Sequence, residues 1–68
     1  MSTIGQNIQA YRNEKSMSVE ELAIRIRCGT KTLEDYEKGI NIPNNQTLLM
    51  ISTVLDVPAS ELLEHHIR

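Results

Sequence analysis

Residues 22–39 read LAIRIRCGTKTLEDYEKG, and this stretch decides the fold. Leu22, Ala23 and Ile26 sit at helical spacing and close one short helix, while Leu33 and Tyr36 line one face of a second. Only Arg27, Cys28 and Gly29 lie between them, too few residues for anything but a sharp corner. Thr30 opens the second helix and Gly39 stops it, because glycine adopts the left-handed helix-ending conformation without a β-carbon penalty. Two short helices joined by such a turn form the unit that presents its second helix to a DNA major groove. On that reading residues 29–38 are the working surface, and most of the chain exists to hold them.

The flanking sequence supplies more helices. Ser18-Val19-Glu20-Glu21 has the pattern of a capping box: the Ser18 hydroxyl caps the amide of Glu21, and the Glu21 carboxylate reaches back. Met17 precedes the cap and is placed to staple onto Leu22. Upstream, Ile4, Ile8 and Tyr11 fall at i, i+4 and i+7, predicting a helix from about Thr3 to Lys15 with Thr3 as its cap. Downstream, Ile40-Asn41-Ile42-Pro43-Asn44 cannot continue the helix, since Pro43 restricts both itself and its predecessor. A fourth helix starts with Asn44 or Asn45 as cap and buries Leu48, Ile51 and Leu55. Asp56-Val57-Pro58 breaks the chain again, and a short fifth helix runs from about Ala59 to His66. No strand is predicted. The expected fold is an all-α five-helix bundle forming one domain over residues 1–68.

Composition narrows the function. A 68-residue chain buries only about 60% of its unfolded surface. With 40% apolar residues, no Trp or Phe and two Tyr, it points to a small aliphatic core rather than a walled cleft, which weighs against an enzyme. The single Cys28 allows no internal disulfide, as suits a reducing compartment. No basic-then-apolar leader opens the chain, and no apolar run approaches the roughly 18 residues of a membrane span, so a soluble cytoplasmic protein is expected. The net charge of −2 is awkward for a nucleic-acid binder. Residues 1–40, however, hold six basic and six acidic side chains, so the excess acid lies in the remainder.

Over nearly its whole length the chain resembles the Cro/C1-type helix-turn-helix domain of phage repressors and xenobiotic-response-element regulators, the lambda-repressor-like fold. The likeness is carried by Ile4-Gly5, Ile8 and Arg12 in the first helix and by Ser18, Glu20-Glu21-Leu22-Ala23 in the second. It continues through Leu33, Tyr36-Glu37-Lys38-Gly39, Pro43, Thr47-Leu48, Ile51, Leu55, Val57 and Glu61-Leu62-Leu63. The resemblance implies a transcriptional regulator that binds operator DNA, usually as a dimer. It also implies a salt bridge between Arg12 and Glu37 that pins the recognition helix to the first helix. The sequence departs from the family at two places. Val19 stands where a phosphate-touching Gln is common, and the turn reads Arg27-Cys28-Gly29 instead of Gly-Val-Ser. Arg27 is therefore expected in a backbone conformation easier for glycine, and Cys28 in the small apolar slot of the usual Val.

With Leu33, Tyr36 and Glu37 inward, Thr30, Lys31, Thr32, Glu34, Asp35 and Lys38 face outward. Gly29 and Thr30 offer helix N-terminal amides to phosphate. Lys31 is the candidate for a guanine edge and Thr32 for a thymine methyl; Asp35 is able to accept from cytosine N4, or else it is simply solvated like Glu34 or pairs with Lys31 or Lys38. Lys38 completes the set on the helix. Asn41 is placed for a phosphate, and Gly39-Ile40-Asn41 matches the corresponding piece of lambda repressor. Adjacent His65 and His66 diverge on a helix and lack a third ligand, so no metal is expected, and neither a cofactor nor a catalytic centre is indicated. Leu63 and Ile67, with Ile40 and Ile42, either complete the core or form a homodimer patch through the C-terminal helix. The competing class is a protein-interaction module on the same scaffold that has lost DNA binding, which Val19, Glu34 and Asp35 would suit.

Overall fold

The computed structural model describes residues 3–63. These form α1 (Thr3–Glu14), α2 (Val19–Arg25), α3 (Thr30–Lys38), α4 (Asn45–Leu55) and α5 (Ala59–Leu63). Among the described residues there is no strand, and no helix is long and apolar enough to cross a membrane.

The core is one aliphatic cluster to which every helix contributes. Ile8 comes from α1, Leu22 and Ala23 from α2, with Ile26 at its C-terminal cap, Leu33 from α3, Leu48, Ile51 and Leu55 from α4, and Leu62 from α5. Each fully buried Leu or Ile is worth about 1.5–3 kcal/mol relative to exposure, which is what holds helices this short together. Tyr11, Met17, Val19, Cys28 and Tyr36 pack at its margin. Helix α1 packs on α3 and α5, α2 packs on α3, and α4 closes the other side.

Helix starts follow the expected chemistry. The Ser18 hydroxyl accepts from the Glu21 amide at 3.0 Å, and the Asn44 side chain accepts from the Thr47 amide at 2.8 Å, so Asn44 rather than Asn45 is the cap of α4. Only half of the capping box forms, because the Glu21 carboxylate turns to Arg25 one turn later. Thr3 is the first residue of α1 rather than its cap, and α1 ends at Glu14, one residue earlier than expected.

Four helices end identically. A residue one or two positions past each takes a positive φ: Ser16, Arg27, Gly39 and Asp56, at 56°, 60°, 81° and 60°. In each case that residue and its successor donate backwards to two carbonyls of the last turn. Ser16 and Met17 donate to Asn13 and Arg12, and Arg27 and Cys28 to Ile24 and Ala23. Gly39 and Ile40 donate to Tyr36 and Asp35, and Asp56 and Val57 to Thr53 and Ser52. This paired pattern satisfies carbonyls the helix would otherwise orphan.

The short α5 is fastened by polar contacts that the sequence did not announce. Buried Asn7 donates its side-chain amide to the carbonyls of Glu61 and Leu62 at 3.3 and 2.8 Å, and the Tyr11 hydroxyl donates to the Glu61 carboxylate at 2.9 Å. The expected extension of α5 to His66, with His65 and Ile67, lies outside the described residues. Ile40, Ile42 and Leu63 are exposed, so they do not complete the core.

Candidate nucleic-acid interface

Helix α3 is held from its inner side. Leu33 is fully buried, and Arg12 and Glu37 form a two-pronged salt bridge, Nε to Oε2 at 2.7 Å and Nη2 to Oε1 at 3.1 Å. The third guanidinium nitrogen, Nη1, donates to the Met17 carbonyl at 2.8 Å. One side chain thus joins α1, the loop before α2, and α3. The charged groups are about nine-tenths buried, and the planar fork matches the carboxylate in direction as well as charge. Gly5 lets α1 come against the C-terminal half of α3. A β-carbon there would collide with the Tyr36 carbonyl oxygen and lie 2.7 Å from that of Glu37.

The turn that aims α3 is compact. Arg27 takes the left-handed conformation expected of it, a cost of roughly 1–2 kcal/mol for a residue with a β-carbon. Cys28 sits half-buried against the core, its thiol 3.4 Å from the Gly29 carbonyl it donates to. Burial raises the thiol's pKa above its ordinary value, against a smaller lowering by a backbone hydrogen bond from Leu33. Gly29 then occupies the cap position of α3 in extended backbone with no side-chain cap, so the first amides of α3 carry no side-chain partner from that residue.

The outer side of α3 carries the sequence-derived candidates, and the structure brings several of them together. Gly29, Lys31, Lys38 and Asn41 are exposed, and Thr30, Thr32 and Asp35 are half-buried. The Lys31 ammonium lies 2.9 Å from Asp35 Oδ1, one turn on, and Asn41 Nδ2 reaches Asp35 Oδ2 at 3.5 Å. The backbone amides of Ile40 and Asn41 both donate to the Asp35 carbonyl, at 2.9 and 3.3 Å. Asp35 therefore gathers Lys31 and the turn after α3 into one cluster. Its hydrogen bond and charge raise the Lys31 pKa, which keeps the ammonium protonated.

Pairing leaves a short list of open cations. Arg12, Arg25 and Lys31 are each bonded to a carboxylate. Among the described residues Lys15, Arg27 and Lys38 form no ion pair, and the last two bracket α3 at its two ends. Arg27 was not among the sequence-derived contact residues; its exposure beside the cap of α3 is the signal that would have added it. No group of three or more His, Cys, Asp or Glu able to hold a metal occurs among the described residues.

The helix-turn-helix family model matches residues 8–62. The chain belongs to the Cro/C1-type helix-turn-helix family. Within that family it is similar to the HTH-type transcriptional regulator SinR of Bacillus subtilis (strain 168), with 39% identity over 62 residues, 90% of this chain and 56% of that protein. It is also similar to multiprotein-bridging factor 1 of Candida albicans (strain SC5314), with 36% identity over 55 residues, 81% of this chain and 36% of that protein. Such curated relatives are longer, and the chain spans between about a third and just over half of their length. Among solved structures, the crystal structure of SinR in complex with DNA superposes with a TM-score of 0.84 at 39% identity, covering 90% of this chain and 98% of that one. The N-terminal DNA-binding domain of SinR from Bacillus subtilis gives 0.86 at 36% identity, covering 96% of each. This helix-turn-helix chain is thus the all-α lambda-repressor-like bundle that its sequence resembled.

Proposed function

We propose that this chain is a sequence-specific DNA-binding transcriptional regulator that lays α3 in the major groove. The observation that carries the proposal is the arrangement of α3. Its inner side is fixed by Leu33 and the Arg12–Glu37 bridge, its outer side carries the exposed Lys31 and Lys38, and open cations stand at both ends. The solved SinR complex, with the same fold at 39% identity, supports it. Lys31 and Thr32 then meet base edges. The first amides of α3, from Gly29 and Thr30, hold phosphates together with Arg27, Lys38 and Asn41. Few cations take part, so affinity is modest and its salt dependence shallow. A cytoplasmic location belongs to this reading, supported by the bacterial regulators among its relatives.

A homodimer is part of this reading. Leu63 ends α5 exposed, and a two-fold axis there sets two α3 helices about one DNA turn apart. Sedimentation at high micromolar concentration, free and with DNA, tests it, and a strict monomer in both rejects it.

A second reading, a protein-interaction module on the same scaffold, is favoured by the exposed Ile24, Leu49 and Met50. Leu49 and Met50 line a shallow depression of about 350 Å³ with Arg25, Gln46, Thr53 and Val54. The relation to a multiprotein-bridging factor agrees with it. Titration against random-sequence and genomic DNA at two salt concentrations decides between the two. The regulator selects particular genomic fragments and loses that selection on Lys31→Ala, whereas the interaction module selects none.

A further inference from the structure

Asp35 stands on the outer side of α3, where a carboxylate repels the phosphates on either side of a groove. The geometry points to a different role, and we propose that Asp35 is the positioning residue that makes α3 selective, by taking Lys31 out of indiscriminate phosphate binding. The inference rests on the DNA-binding reading above. Asp35 is shielded, its side chain only 15% exposed, while that of Lys31 is 78% exposed. The carboxylate therefore has a fixed place in the protein, and the ammonium reaches outward from it. Two further ties fix Asp35 itself: the Asn41 side chain at its second oxygen, and the Ile40 and Asn41 amides at its carbonyl.

Two consequences follow for binding. In the free protein the Lys31–Asp35 pair presents no net charge to a passing phosphate, so Lys31 adds little to sequence-independent attraction. A pair whose ammonium is this exposed is weak, so a base-edge acceptor within its reach is able to share or capture the ammonium. Lys31 is thus held at one place along the helix and responds to what lies there. Asn41 is held by the same carboxylate, which sets the phosphate contact and the base contact in a fixed relation. Glu34 stands next to Asp35 with no ion pair among the described residues, so the same charge at the neighbouring position lacks this function.

The test compares Asp35→Asn with Glu34→Gln, which removes the same charge one residue away, and repeats Asp35→Asn in a Lys31→Ala background. Each protein is titrated with random-sequence duplex and with its best genomic fragment at several salt concentrations, after its melting curve confirms that it folds. Asp35→Asn is expected to strengthen binding to random sequence about fivefold to tenfold near 0.1 M salt. It should also steepen the log–log salt slope by about 0.9, the value for one added phosphate contact. The genomic-to-random affinity ratio should fall accordingly. Glu34→Gln should change random-sequence binding less than half as much, and Asp35→Asn should have little effect once Lys31 is gone. Equal effects of the two charge removals, or an effect that survives in Lys31→Ala, overturn the positioning role and leave the regulator reading standing. A wild-type protein that binds no duplex at any salt overturns both.

Discussion

At the scale of single residues, the structure turns on positions where one atom more or less decides the outcome. Gly5 is required because two backbones meet there, α1 against the carbonyls of Tyr36 and Glu37. Gly5→Ala should cost about 3 kcal/mol, at the upper end for an added methyl with no room, seen as a lower denaturation midpoint with unchanged slope. Gly29 is the contrasting case: a β-carbon there meets only Thr32 Oγ1 at 3.9 Å, so its value lies outside the packing. Cys28 makes a prediction in pH. Burial raises the pKa of its thiol, so the folded state keeps the proton after the unfolded chain has lost it. Its contribution to stability is full below the unfolded thiol's pKa and is lost as pH rises through the folded value. Melting temperatures measured from neutral to alkaline pH should fall more steeply for the wild type than for Cys28→Val.

At the scale of elements, the helix boundaries were largely legible because they are local chemistry. Ser18 caps through a hydroxyl three residues from its target amide, Asn44 does the same, and Gly39 ends α3 where its missing β-carbon permits. The inward set of α3 was legible from spacing, and the strain at Arg27 from the departure of its turn from the family pattern. Apart from the Arg12–Glu37 bridge, which the family resemblance implied, contacts between distant parts of the chain could not be read. Asn7 lies among outward-looking polar residues in sequence, yet its amide is buried against carbonyls 54 and 55 residues away. Likewise Ile24, Leu49 and Met50 are apolar but exposed, because helices this short have more apolar residues than one core can cover. On α3 itself, Glu34 and Asp35 look alike in sequence. Their difference comes from the turn after Gly39, which folds Asn41 back onto only one of them. The repeated helix ending gives a prediction at this scale. Ser16, Arg27 and Asp56 do the work of Gly39 while carrying a β-carbon. Arg27→Gly should stabilise by about 1 kcal/mol, raising Tm by roughly 4–8 °C, while weakening DNA binding by removing a cation beside α3.

At the scale of the whole molecule, five short helices depend on one another more than on their own propensities. Arg12 shows how far that dependence reaches, with three hydrogen bonds to two other segments from a side chain nearly removed from water. Truncating it leaves Glu37 buried and charged with no partner. Arg12→Ala should therefore cost about 3 kcal/mol or more, a drop in Tm of at least about 10 °C in thermal unfolding followed by circular dichroism. The double variant Arg12→Ala, Glu37→Ala should recover part of that loss, since no orphaned charge remains.

The division of α3 into a clamped inner side and an open outer one also bears on how such a chain can change. Thr30, Lys31, Thr32, Glu34 and Lys38 supply no buried core side chain and no part of the Arg12 junction. A relative's side chains can be transplanted onto those five positions together, and the bundle should melt within a few degrees of the parent. New specificities are then reachable by rewriting a single helical turn or two, with the scaffold's stability inherited intact.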